Sequence, residues 1–162
     1  MKMNITLLKQ VSLLSVMIGM VVGLVSIIPV VGSLVFVLYF MLFSASLIIY
    51  LKKNNILGEI SIKEGAIFGA ITGITSMIGL YCSYVPIALI ISLLNNNYIN
   101  PVATLVKYGF TSPLYLFTLL FLLLLAALLC GLMNCFGGGV TVYIYEVLAN
   151  MQKEDNEKFT LR

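Results

Sequence analysis

Few side chains in this sequence could do chemistry. Asn134 and Thr72 are polar groups set inside otherwise apolar runs, with Thr75, Ser76 and Thr141 near them in type and setting. A carboxamide in hydrocarbon demands a partner on another helix. For Asn134 that leaves two readings: a bond that fixes helix register, or a wall of a polar cavity. The hydroxyls can return their protons to carbonyls one turn back. The usual catalytic sets are missing. With no His in the chain, neither a Ser/His/Asp nor a Cys/His arrangement can exist. HExxH, GxxxxGK[ST] and GxGxxG do not occur, and Phe136 to Val140 (FGGGV) is too apolar to read as a phosphate loop. Cys82, Cys130 and Cys135 form no CxxC and read as small hydrophobes. The expectation is a chain that is not an enzyme, with no cofactor and no metal site.

The elements that must hold these residues belong in a membrane. The chain has 162 residues, 61% of them hydrophobic and 9% charged, with a mean hydropathy of +1.11. A soluble domain is about 45–50% apolar and about 25% charged. The net charge of +3 is small, and the basic residues do not interleave with aromatics as a nucleic-acid site would require. Apolar runs fall at about 7–28, 32–51, 65–94 and 113–146, and a bilayer core needs about 20 helical residues. The first run follows Lys2 and Lys9 but has no A-x-A site after it, so it reads as a retained helix. Pro29-Val30-Val31-Gly32 reads as a tight turn. At 1.5 Å per residue the third and fourth runs would reach roughly 45 and 51 Å. They must tilt, kink at Pro86 or extend together past the bilayer. A different reading ends the fourth span near Asn134 and breaks it at Gly137-Gly138-Gly139.

Charge sets the expected orientation. With a cytoplasmic N-terminus, Lys2, Lys9, Lys52, Lys53, Lys63, Lys153, Lys158 and Arg162 lie inside, and Lys107 alone lies outside. Ser61-Ile62-Lys63-Glu64 has the form of a capping box at the start of the third helix. Asn95-Asn96-Asn97 would stop that helix. Asn100-Pro101 then reads as an N-cap followed by Pro at N1, and Gly109 as a C′ residue, so a short surface helix is expected over about 101–108. Thr111-Ser112-Pro113 repeats the cap-then-Pro signal. Residues 1–151 form one transmembrane domain, and 152–162 a charged, frayed cytoplasmic tail. The tyrosines fall mostly near span ends, as an interfacial belt would.

Gly65, Gly69 and Gly73 recur every four residues and share one helix face, with Ser76 near its end. Each costs a helix about 1 kcal/mol relative to Ala, which close backbone packing in a bilayer can offset. Counted from Glu64 and Glu146, this face and Gly137, Gly138 and Gly139 reach similar depths. The glycine-zipper face therefore packs the third helix on the fourth, makes an oligomer or partner contact, or lines a pore. At an offset of 50, Gly19, Gly23, Ser26 and Ile28 match Gly69, Gly73, Ser76 and Ile78. That pattern is either a duplicated two-helix hairpin or chance.

Lys52-Lys53-Asn54-Asn55 and Ile60 to Gly65 carry a resemblance. In this loop the chain resembles small uncharacterised bacterial four-pass inner-membrane proteins, in which a basic loop leads into a glycine-rich third span. The resemblance covers about 45–75 and beyond that only topology. It implies a bacterial inner-membrane location and four helices, and it brings no activity. The expected fold is an all-α, four-helix transmembrane bundle with both ends cytoplasmic. The expected function is a non-enzymatic scaffold or accessory subunit, with the lipid bilayer and either a second copy or another membrane protein as partners. The alternative is a homo-oligomeric channel or small-solute transporter whose path Asn134 and Thr72 would line. All fifteen charged residues fall outside the spans or at their edges, which argues against a proton-coupled transporter acting alone.

Overall fold

A computed structural model of the chain describes residues 5–28, 30–54, 56–58, 60–94, 100–109 and 112–160. These residues form five helices: α1 (Ile5–Val25), α2 (Val31–Lys53), α3 (Ile62–Leu94), α4 (Pro101–Gly109) and α5 (Pro113–Thr160). No strand occurs among the described residues. All but α4 are long and apolar enough to cross a membrane. The fold is the all-α four-span bundle that the runs predict. Leu124 is 62% exposed and Phe117 70%, an outward face suited to hydrocarbon rather than water.

Helix ends follow local chemistry. Glu64 Oε2 accepts from the Ser61 backbone N–H at 3.1 Å while the Glu64 N–H donates to Ser61 Oγ at 3.3 Å, so the capping box starts α3. Asn100 Oδ1 accepts from the N–H groups of Val102 and Ala103 at 3.0 and 3.2 Å, which caps α4 with Pro101 at N1. Gly109 departs from its expected place. It is the last residue of α4, with no left-handed φ, and it is buried against Leu116 of α5. The positive φ falls instead on Val30 (φ 67°, ψ −61°) in the α1–α2 turn. Gly32 is needed there for space: a Cβ on it would stand 2.5 Å from the Ser26 carbonyl oxygen.

Three further expectations concern helix continuity. α3 runs through Pro86 without interruption. α5 is continuous through Gly137, Gly138 and Gly139, so the break considered there does not occur. Residues 152–160 continue α5 rather than fraying. That stretch has no Gly or Pro and places Glu154 four residues before Lys158, a spacing that supports a helix. Lys2, Pro29, Asn95, Asn96, Asn97, Thr111 and Arg162 lie outside the described residues.

In space the order is α1, α3, α5, α2. The α3–α5 seam is the most extensive, followed by α1–α3 and then α2–α5, while α1 and α2 barely touch although a short turn joins them. The two hairpins are therefore packed differently. The core is densest toward the end that carries Lys52, Lys53 and Lys63, where Ile48, Phe68, Cys130 and Val142 are fully buried. At that end Lys52 Nζ lies 4.9 Å from the centre of the Tyr145 ring. α4 and the α1–α2 turn occupy the opposite end.

Candidate functional site

The glycine face of α3 is covered by α5 of the same chain. A Cβ on Gly69 would fall on the Asn134 carbonyl, one on Gly65 on the Val142 side chain, and one on Gly73 would lie 2.9 Å from both Asn134 Cβ and the Cys130 carbonyl oxygen. From the other side, a Cβ on Gly138 would strike the Gly65 carbonyl. Gly139 looks toward Ala66, and Gly137 toward Ser44 of α2. Three successive glycines thus seat α5 between α2 and α3. Ser76 stands at the end of the face with its hydroxyl donated to the Gly73 carbonyl at 2.9 Å.

Asn134 ties α5 to α2. It is fully buried. Its Oδ1 accepts from the Ser44 backbone N–H at 2.9 Å, and its Nδ2 donates to the Phe40 carbonyl at 3.2 Å. Phe40 and Ser44 are four residues apart, so the carboxamide addresses both ends of one rung of the α2 ladder. Nδ2 also donates to the Cys130 carbonyl at 3.0 Å, and Ser44 Oγ returns a bond to the Asn134 carbonyl at 2.8 Å. Every polar atom of the side chain is used within the bundle. Thr72 is also fully buried, and its hydroxyl is donated to the Phe68 and Gly69 carbonyls at 2.9 and 3.1 Å. The two are held in the same core, and neither lines the cleft described below.

Sequence reasoning missed Ser44 and the second tight seam. Cβ atoms on Gly19 and Gly79 would fall on the carbonyls of Ser76 and Val16, and one on Gly23 on the Ser83 hydroxyl, so α1 and α3 also meet backbone to backbone. Ser83 Oγ donates to the Met20 carbonyl at 2.8 Å across that seam. The signal for Ser44 was the run Ser44-Ala45-Ser46, the small-residue stretch inside α2. Three tyrosines assigned to an interfacial belt do other work. Tyr39 is buried mid-bundle, the Tyr81 hydroxyl donates to the Leu123 carbonyl at 3.1 Å, and the Tyr84 hydroxyl accepts from Asn100 at 2.8 Å.

Toward the α4 end the helices part. An apolar cleft of about 550 Å³ opens between the first half of α2 and the facing parts of α3 and α5. Phe36 and Val37 form one wall, Met77, Leu80 and Leu122 the others, and Val102 and Leu105 of α4 the roof, with Ser26 and Ser33 at the rim. The cysteines are free thiols, and no cluster of metal-ligating side chains occurs among the described residues. Comparison with protein-family models, with curated proteins and with solved structures finds no match.

Proposed function

We propose that the chain is a non-enzymatic multi-pass protein of a bacterial inner membrane, with both ends cytoplasmic, serving as a scaffold or accessory subunit of a larger membrane assembly. The distribution of Lys and Arg supports the orientation. The resemblance of the 45–75 region to bacterial four-pass inner-membrane proteins is in keeping with that location. The glycine-zipper faces serve the chain's own seams in this reading, so a partner meets a different surface.

One observation carries the assembly reading. The helix α5 does not stop at the plane of Lys52, Lys63 and Glu146. Past that plane it still presents Leu148 and Met151, 53% and 58% exposed, in line with Ile144 at 51%. Apolar side chains spaced four and three apart form a stripe that another helix can cover, and their position beyond the charged ring is where lipid tails no longer shield them. The channel or carrier alternative is less favoured, because Asn134 and Thr72 spend their hydrogen-bonding capacity inside the bundle.

The test is purification of tagged protein from its native membrane followed by native mass spectrometry. A stoichiometric assembly, with a second copy or a foreign subunit, is expected for the wild type and is lost on joint Leu148→Glu and Met151→Glu substitution. A monomer in both, together with solute flux in liposomes of the purified protein, would move the assignment to a carrier.

A further inference from the structure

The cleft beneath α4 has three properties that together point to one occupant. First, its walls offer carbon. The hydroxyls around it are mostly committed elsewhere: Tyr81 to the Leu123 carbonyl, Tyr84 to Asn100, and Ser26 to the Val22 carbonyl at 2.7 Å. An apolar cavity of this kind stays dry and takes apolar guests. Second, its size of about 550 Å³ falls in the range of ligand sites, about 300–1,000 Å³. Third, it opens sideways. Val37 of α2 and Leu122 of α5 both line it and are 54% and 46% exposed, so a mouth lies between these two helices on the lipid-facing flank. Above, Val102 and Leu105 of α4 close it, while Lys107 on the same helix is exposed.

We infer that the cleft holds the end of one acyl chain of a bilayer lipid, which enters between Val37 and Leu122 from the leaflet on the α4 side. A headgroup does not fit the lining, which carries no charged side chain. Along α3 the lining runs from Met77 to Tyr84, a depth of about 10 Å at 1.5 Å per residue, which suits a chain end rather than a whole lipid. The surrounding medium at this depth is itself acyl chain, so no other apolar molecule has comparable access. This site stands independently of the assembly reading.

The experiment uses full-length protein reconstituted in nanodiscs of phosphatidylethanolamine and phosphatidylglycerol, then transferred to mild detergent and weighed by native mass spectrometry. The wild type is expected to keep one phospholipid per chain under washing that removes all others. Ala126→Phe, which fills the cleft from α5, and Ser33→Leu, which fills it from the α2 rim, should each lose that lipid. Leu128→Phe, on the exposed face of α5, should keep it. Thermal melts report whether each variant is folded, and if Ala126→Phe is not, the rim variant decides. A wild type that retains no lipid overturns the inference. So does equal retention by wild type and a folded cleft variant. Stabilisation of the wild type by decane without any lipid retention would also overturn it, in favour of a site for small apolar solutes.

Discussion

The helix α2 meets the rest of the bundle in two different ways along its length. Toward the Lys52 end it is joined to α5 by three hydrogen bonds between Asn134 and the Phe40–Ser44 turn and by Lys52 over Tyr145, whereas toward α4 it stands away and leaves a cleft. Interhelical hydrogen bonds and the close packing beside them account for the difference. The closed half brings Ser44 of α2 against Asn134 and Gly137 of α5. The open half sets Phe36 and Val37 across the cleft from Leu119, Leu122 and Leu123. In lipid there is no hydrophobic drive between helices, so association depends on close packing and hydrogen bonds. Where the Asn134 bonds and the Ser44–Gly137 contact end, closure ends, although Gly32, Ser33 and Ala126 still line the cleft beyond.

The sharpest way to break the closed half is Gly69→Leu. The added Cβ would fall on the Asn134 carbonyl, which is backbone and cannot swing aside. The α3–α5 seam must separate, and the Asn134 bonds to α2 go with it. A loss of at least about 3 kcal/mol is expected in detergent unfolding, at the upper end for overpacking. Leu124→Ala on the lipid face and Gly58→Ala, where a Cβ meets nothing within 4 Å, should stay within about 0.5 kcal/mol of wild type. Equal melting of Gly69→Leu and these controls would show that the seam is not tight.

Removing the amide tests the hydrogen bonds apart from the sterics. Asn134→Ala keeps the helix backbones together but deletes the bonds to Ser44 N–H and Phe40 C=O. Those two groups are one helical rung apart and can bond each other once the amide is gone, so no buried group is left stranded. The cost is expected at about 1–2 kcal/mol, the range for interhelical polar contacts in membranes. Asn134→Asp should cost more, because it loses both Nδ2 donations and carries a carboxylate into a dry site. A neutral Asn134→Ala would mean that the small residues alone close this half.

Much of this was legible in sequence, and the reasons are local. Span number followed from apolar run length, the capping box from Ser61 and Glu64, and the α4 cap from Asn100-Pro101. The need of Asn134 for a partner followed from its chemistry, but its partner did not. Ser44 lies 90 residues away, and nothing in either local pattern pairs them. The glycines at 19, 23 and 79 were visible as glycines. That α1 would lie on α3 rather than on its sequence neighbour α2 depends on all the seams at once. The cleft was illegible for the same reason, since it exists where helices fail to meet. Continuity through Gly137-Gly138-Gly139 ran against propensity, and packing on two neighbours outweighed it.

The open half starts at a strained turn, and relieving it should sharpen the contrast. Val30 holds φ 67° and is 81% exposed. A β-branched residue with positive φ is an outlier, and such conformations cost on the order of 1–3 kcal/mol. Glycine adopts them freely, so Val30→Gly is expected to stabilise the protein by about 1 kcal/mol, less whatever entropy the unfolded chain gains. The gain should appear in unfolding free energy with the α2–α5 contacts unchanged. Destabilisation would mean that the isopropyl group of Val30 matters to the membrane surface or to a partner there.

The smallest expected effect lies at the boundary between the two halves. Tyr39 is buried where α2 turns from its open to its closed stretch, with its ring 4.8 Å from that of Phe43. Among the described residues its hydroxyl makes no well-formed hydrogen bond; Ser76 across the interface donates its own proton to the Gly73 carbonyl but keeps lone pairs that can accept one. Burying an unpaired hydroxyl costs about 1–3 kcal/mol, and Tyr39→Phe keeps the ring contact while removing that group. The variant should be neutral or more stable by up to about 1 kcal/mol. Loss of stability would show that the hydroxyl finds a partner, and the natural candidate is the Ser76 oxygen. Measuring Tyr39→Phe in the wild-type and Ser76→Ala backgrounds separates these cases: a penalty that disappears when Ser76 is Ala would show that the two hydroxyls bond across the α2–α3 interface.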